Sequence, residues 1–186
     1  PAGYEINFVD MGDLDAVRRS LDGAGLVLAE TITNPLCTVP DIEAIAAMAR
    51  EHGVPFLVDN TFATPILCRP LEFGATAVMH SATKYIGGHS DLVAGVAVGS
   101  AAVMGATRAR SVRTGTPLAP FDAWLALRGL RTLDVRMRRH SDNSIALARA
   151  MREMTARLRP HLRSEMVLVS AQLVESHVPS MSADSM

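Results

Sequence analysis

One residue in this 186-residue chain stands apart chemically: of eighteen lysine and arginine residues, Lys84 is the single lysine. Codon bias can clear lysine from a surface where only charge matters, and a lone survivor would then mean nothing. The two side chains differ most in one respect, however: a buried lysine can give up its proton and an arginine effectively cannot. Chemistry that needs a free amine keeps its lysine. Two hydroxyls, Ser81 and Thr83, precede Lys84 at i−3 and i−1, and a carboxylate, Asp59, closes the apolar run Val54–Val58. In open parallel sheets the carboxyl ends of strands face the ligand crevice.

An amine, a carboxylate and hydroxyls able to grip a phosphate suit pyridoxal 5'-phosphate. That cofactor needs a lysine amine for its covalent anchor and commonly an acid to keep its pyridine nitrogen protonated, which makes the ring an electron sink.

The elements that must position these groups read as alternating strands and helices. Residues 13–21 form a short helix capped by Asp13, with Leu14, Val17 and Leu21 at helical spacing, and Asp22-Gly23 breaks it. Gly25–Ala29 is an apolar run of strand length, of the kind a sheet covered on both faces requires. From Asp41 to His52, Ile42, Ile45, Met48 and Ala49 make one helix face, stopped at Gly53. Strand 54–58 follows, and a strand–helix–strand order demands a parallel pair. Residues 61–74 are a long connection with Pro65 and Pro70, leading to strand 75–79. Only about a dozen residues, carrying the lysine loop, separate it from strand 93–98, too few for a parallel crossover, so that strand is expected to be antiparallel. Arg113–Pro117 reads as a flexible link, and one long helical stretch runs from Phe121 to about Met154. Trp124, Leu127, Leu130, Leu133 and Met137 along it are expected to pack against the sheet or a partner subunit.

Asp59-Asn60-Thr61-Phe62, then Ser81-Ala82-Thr83-Lys84-Tyr85 and Gly87-Gly88-His89-Ser90-Asp91, resemble the cofactor region of the cysteine and methionine metabolism family of pyridoxal-phosphate enzymes. Cystathionine γ-synthase, cystathionine γ-lyase and methionine γ-lyase belong to it. The resemblance extends from about Leu26 to about Ala150, through Glu30-Thr31-Ile32-Thr33-Asn34-Pro35 and Pro120-Phe121-Asp122-Ala123-Trp124. It implies an α/β fold, the large domain of the aspartate-aminotransferase type (fold type I), with a mostly parallel sheet that is incomplete here. It further implies that Lys84 is the catalytic lysine and covalent anchor, that Asp59 meets the pyridine nitrogen, and that Ser81 and Thr83 bind phosphate. Asn34, which as a dipeptide with Pro35 reads as an ordinary turn, would approach cofactor and substrate carboxylate. The implied activity is carbon–sulfur bond cleavage or γ-replacement in transsulfuration or methionine metabolism. Its substrate would be a sulfur amino acid or an acylated homoserine, and the assembly a homo-oligomer, a dimer of dimers. The sequence leaves γ-lyase, γ-synthase and sulfhydrylase open. An aminotransferase shares the fold and the lysine, and an inactive relative acting only by association is the alternative outside enzymes.

The loop residues have plainer readings. Gly87 and Gly88 let the chain turn, His89 is a catalytic base or a loop hydrogen-bonder, His80 is structural, and Tyr85 packs. None of the histidines has a metal-ligand partner at suitable spacing. Net charge of −1 and a pI near 6.7 argue against nucleic-acid binding. Arg136, Arg138 and Arg139 read as a solvated helix face. Cys37 and Cys68 make no disulfide framework, which suits a reducing cytosol. The longest uncharged run, Leu92–Thr107, is too short to span a bilayer. Residues 1–150 read as the central and later part of the cofactor domain and 151–186 as a divergent tail, serine-rich and disordered from Ser176. The relatives' glycine phosphate loop, stacking aromatic and substrate-carboxylate arginine have no counterpart, so this chain by itself is expected to be catalytically incompetent.

Overall fold

The computed structural model describes residues 3–158. Ten elements follow in order: α1 (Leu14–Ser20), β1 (Val27–Glu30), α2 (Ile42–Glu51), β2 (Phe56–Asp59), α3 (Thr64–Leu67), β3 (Ala77–Ser81), β4 (Gly95–Gly99), α4 (Ala101–Thr114), α5 (Pro120–Leu130) and α6 (Leu133–Leu158). The expected caps form: Asp13 accepts from Ala16 N and Asp41 from Ala44 N, each at 2.9 Å, satisfying amides that a helix start leaves orphaned.

The strands lie in the order β1-β2-β3-β4. The first three are parallel, and β4 runs antiparallel to β3, as the short intervening connection requires. Each strand begins about two residues later than the apolar runs suggest, because those runs include the buried approach to the sheet as well as the ladder itself. Strands alternate their side chains across the sheet. Val27, Ala29, Phe56 and Val58 therefore meet Val17 and Leu21 of the α1 region and Ile42, Ile45, Met48 and Ala49 of α2 in the main core. The opposite face is left open among the described residues, with Leu28 54% exposed. Between it and α4 runs an apolar groove of about 480 Å³, lined by Leu57, Ala77, Met79, Ala97, Val103 and Met104 among others.

Two expectations need correction. The stretch 113–117 is not all link: Arg113 and Thr114 end α4, which is capped by Ser100 at its start and by left-handed Gly115 (φ 69°) at its end. The stretch 121–154 is two helices, separated at Arg131–Thr132, because the Gly129 carbonyl is taken by Thr132 N (3.2 Å), Thr132 Oγ1 (3.1 Å) and Arg136 Nη2 (2.8 Å) instead of continuing the ladder. The apolar stripe divides there too. Leu133 and Met137 are buried, whereas Trp124, Leu127 and Leu130 of α5 are exposed. α6 passes through Ala150 without a break, and the serine-rich stretch 176–186 lies outside the described residues.

Candidate active site

β1, β2 and β3 end side by side, and their last residues bring the polar groups together. The register sets Glu30 opposite Asp59 and Asp59 opposite Met79, with Ser81 two residues further along β3. Alternation places Glu30, Asp59 and Ser81 on the open face, away from α1 and α2. Asp59 is half-buried. Its Oδ1 accepts from Thr61 N at 2.9 Å, and the Thr61 hydroxyl accepts from Ser81 N at 2.7 Å. Buried Thr61 thus ties the carboxylate strand to the hydroxyl strand, a role that sequence reading missed because Thr61 appeared only as part of a motif.

Lys84 lies in the turn that leaves β3. Its N donates to Ser81 O at 3.1 Å and its carbonyl accepts from Gly88 N at 2.8 Å. The side chain is exposed, and no ion pair holds it among the described residues. The Ser81 hydroxyl makes no hydrogen bond there either. Thr83 is more committed: its Oγ1 accepts from Ala94 N at 3.1 Å and donates to Ala94 O at 3.4 Å. The latter contact is long, and an anion would compete for that proton effectively, since hydrogen bonds to charged acceptors are the stronger ones. Asn34, in the turn after β1, is exposed, and its N donates to Glu30 Oε2 at 2.8 Å. The backbone of Asn34 is thereby tied to Glu30, which pairs with Asp59 at the sheet edge.

The loops leaving β1, β2 and β3 each hold one non-glycine residue in the left-handed region: Cys37 (φ 55°), Thr64 (φ 59°) and Ser90 (φ 58°). For β-branched Thr64, fully buried with its hydroxyl accepting from Ile66 N at 3.3 Å, this is a real outlier. Residues in such conformations persist where their surroundings over-determine them, and they concentrate at functional sites.

Around the lysine, Tyr85 packs edge-on to Phe62 (6.3 Å between centroids) and to His140 (5.3 Å). His89 Nδ1 lies 2.7 Å from Gly87 O; a carbonyl can only accept, so that nitrogen carries the proton, and the ring hydrogen-bonds the loop. His80 is buried, and desolvation lowers its pKa against weaker opposing effects of a backbone bond to Asn60 and the charge of Asp59. Burial pushes the Cys68 thiol up. Arg136 contradicts its reading as part of a solvated face. Arg138 does pair with Asp134 in solvent at 3.0 Å, but Arg136 turns inward onto the lysine turn. The apolar groove beside α4 contains neither Asp59 nor Lys84, so it is a separate feature from this edge.

A mostly parallel α/β sheet with these groups at its carboxyl edge is the fold-type-I architecture of pyridoxal-phosphate-dependent enzymes. Solved structures agree. Cystathionine gamma synthase from Xanthomonas oryzae pv. oryzae, in complex with aminoacrylate and cysteine, superposes with a TM-score of 0.76 at 35% identity, over 90% of this chain and 44% of that one. Cystathionine gamma-lyase from Lactobacillus plantarum, complexed with L-serine, gives 0.73 at 36% identity, over 86% and 41%. The chain belongs to the Cys/Met metabolism PLP-dependent enzyme family, whose model matches residues 1–158. Among curated relatives, the cystathionine gamma-synthase/O-acetylhomoserine (thiol)-lyase of Bacillus subtilis (strain 168) is 45% identical over 153 residues, 81% of this chain and 41% of that protein. The L-methionine gamma-lyase of Pseudomonas putida is 45% identical over 149 residues, 78% of this chain and 37% of that protein. The chain thus spans about two fifths of the length of the relatives it matches.

Proposed function

We propose that this chain carries the cofactor-binding edge of a pyridoxal-phosphate enzyme that breaks or forms a carbon–sulfur bond at the γ carbon of an amino acid. The observation that carries this reading is the convergence of Lys84, Asp59 and Ser81 at one end of a parallel sheet, in a chain of this family. The donor set fits the cofactor: among the described residues it offers an exposed amine without an ion pair, a half-buried carboxylate with Oδ2 free of hydrogen bonds, and an unengaged hydroxyl at Ser81.

Bound there, pyridoxal phosphate would supply the electron sink that stabilises a carbanion beside the amino group. The chain's own residues would do the rest. Lys84 Nζ provides the neutral amine for the covalent anchor and, once released, moves protons between the α and β carbons of the substrate. The Asp59 carboxylate holds a proton on the pyridine nitrogen, because opposite charges a few ångströms apart favour both ionised forms. Ser81 and Thr83 give hydroxyl donors to phosphate, and Asn34 offers an amide that donates and accepts at once.

Residues 1–150 are read as the central and later part of the large domain, 151–186 as a divergent tail, and the whole as one partner in a homo-oligomer of the cytosol, acting on a sulfur amino acid or acylated homoserine. A second reading, a chain that acts only in association with a relative, is favoured by the open sheet face around Leu28 and the exposed α5 stripe, since such apolar surfaces mark interaction sites.

Borohydride reduction of the protein with added pyridoxal phosphate, followed by peptide mapping, is expected to place the adduct on Lys84. Lys84→Arg abolishes the adduct despite keeping the charge, since a guanidinium supplies no neutral amine. An adduct elsewhere, or none, would overturn the reading.

A further inference from the structure

The segment that carries Lys84 leaves the β3 ladder at Ser81, and past Thr83, which is bonded to Ala94 beside β4, the sheet no longer holds it. Beyond Ser81 it makes successive turns, in which Gly87 N donates to Ala82 O at 2.7 Å and Gly88 N to Lys84 O at 2.8 Å. Beneath it lies a small cluster of Ala82, Ile86, Leu133 and Met137. Apolar contacts are non-directional and leave such a turn free to rock. On its near side Thr83 is bonded to Ala94; beyond the lysine the side chain that makes most of the directional contacts is Arg136. Its Nη1 donates to Tyr85 O at 2.7 Å, its Nη2 to Gly129 O at 2.8 Å and more weakly to Ile86 O at 3.4 Å, and its Nε to Thr132 Oγ1 at 2.9 Å. A single guanidinium therefore joins the carbonyls that follow the lysine to the α5–α6 junction. Two glycines admit this arrangement. A Cβ on Gly88 would overlap Arg136 Nη1 and Cζ, and a Cβ on Gly129 would overlap the carbonyl oxygens of Ile86 and Gly87. Arg128 adds a second tie from α5, to Asp91 at 2.5 Å.

We propose that Arg136 is a positioning residue for Lys84: by splinting the turn to the α5–α6 junction it keeps the amine at the carboxyl edge beside Asp59 and Ser81. The role rests on the reading of Lys84 as the residue that bonds the cofactor. Its physical basis is the fixed fork of guanidinium donors, which reaches several acceptors at once, where a lysine ammonium is a single point on a flexible stem. A reactive group gains from being held close to its productive geometry, and a supporting shell supplies that hold.

The test uses the full 186-residue chain. Arg136→Ala is compared with the parent in three measurements: the unfolding midpoint, hydrogen exchange at the Gly88 and Val58 amides without cofactor, and the pyridoxal phosphate concentration that gives half-maximal borohydride trapping at Lys84. Exchange at Gly88 is expected to rise about tenfold or more with Val58 unchanged, and half-maximal trapping to need about tenfold more cofactor, as loss of charge-assisted hydrogen bonds implies. Guanidinium ion added to solution restores part of both, whereas Arg136→Lys does not. Unchanged exchange at Gly88, unchanged trapping, or a parallel rise at Val58 overturns the proposal. If Arg136→Ala does not fold, Gly88→Ala tests the same contact by the same measurements, because its Cβ displaces the guanidinium from the Tyr85 carbonyl. Failure of the underlying reading looks different: the adduct then survives Lys84→Ala while exchange at Gly88 still answers to Arg136.

Discussion

Among the described residues the chain has two interiors, built on different physics. The larger lies between the sheet and helices α1 and α2, where Val17, Leu21, Ile45, Phe56 and Val58 are buried to within a few per cent. It is apolar and assembled from regular elements, and its cohesion grows with the area removed from water. The smaller lies under the lysine turn. Four buried residues, Ala82, Ile86, Leu133 and Met137, make its apolar part, and the rest is a guanidinium spread over backbone carbonyls and two glycines pressed against neighbours. The first interior keeps the sheet folded, while the second fixes where one amine sits. A protein can therefore lose stability in one and chemistry in the other.

The comparison breaks most visibly at Phe56, which is 1% exposed. Phe56→Ala is expected to cost about 3–5 kcal/mol of stability, a large share of the roughly 5–15 kcal/mol typical of a domain. Ile45→Val removes only one methylene and costs about 0.5–1.5 kcal/mol, which keeps the fold intact. In the folded fraction of both variants, cofactor trapping at Lys84 stays at the parental level. Denaturant unfolding gives the cost and borohydride trapping gives the site. A trapping defect in folded Ile45→Val would show that the two interiors are one.

Gly129→Ala probes the other interior. The added Cβ meets backbone oxygens of Ile86 and Gly87, and backbone cannot yield as a side-chain tip can, so the turn or α5 must move. An overpacking cost of about 1–3 kcal/mol follows, smaller than at Phe56, yet here cofactor affinity falls as well. Parental affinity in a folded Gly129→Ala protein would mean that the approach of α5 does not govern the lysine.

The same division explains what the sequence disclosed. The main core is written in periodicity: Ile42, Ile45, Met48 and Ala49 repeat at helical spacing, and all four are buried. Asp13 and Asp41 announce their helices, and a short lysine loop forces β4 to run antiparallel. The family motif brings Asp59 to the end of β2 and Ser81 to the end of β3. The second interior has no such signature. Arg136 shares a charged run with Arg138 and Arg139, and nothing local marks which of the three turns inward, because its partners are carbonyls 7 and about 50 residues away. Thr61 was hidden for the same reason, since its bond to Ser81 N spans 20 residues. The break at Arg131–Thr132 is set close by in sequence, where Thr132 and Arg136 claim the Gly129 carbonyl, but neither residue at the break is a glycine or proline that would mark it. The α4 signals, Ser100 and Gly115, were also local and went unread.

The smallest expected effect falls on β3, the strand flanked by Ala75 of the larger interior and Ala82 of the smaller one. His80 of β3 is 5% exposed, its Nδ1 has no hydrogen-bond partner, and desolvation lowers its pKa. The folded protein therefore resists a proton that the unfolded chain accepts at the ordinary histidine value near 6.5. The sign follows from linkage. Above about pH 6.5 neither state binds the proton, and His80 leaves stability independent of pH. As pH falls below about 6.5 the unfolded state binds more protons than the native state, so stability declines until the lowered native pKa is reached. His80→Asn removes this contribution, and its stability, followed by denaturant unfolding between about pH 7.5 and about 5, declines less steeply than that of the parent. Most carboxylates titrate lower, near about 4, which leaves the window largely to histidines, and the difference between parent and variant isolates this one. Parallel pH profiles would mean that His80 is protonated as readily folded as unfolded. The boundary between the two interiors would then be wet, and the lysine turn would rest on a strand less dry than the main core.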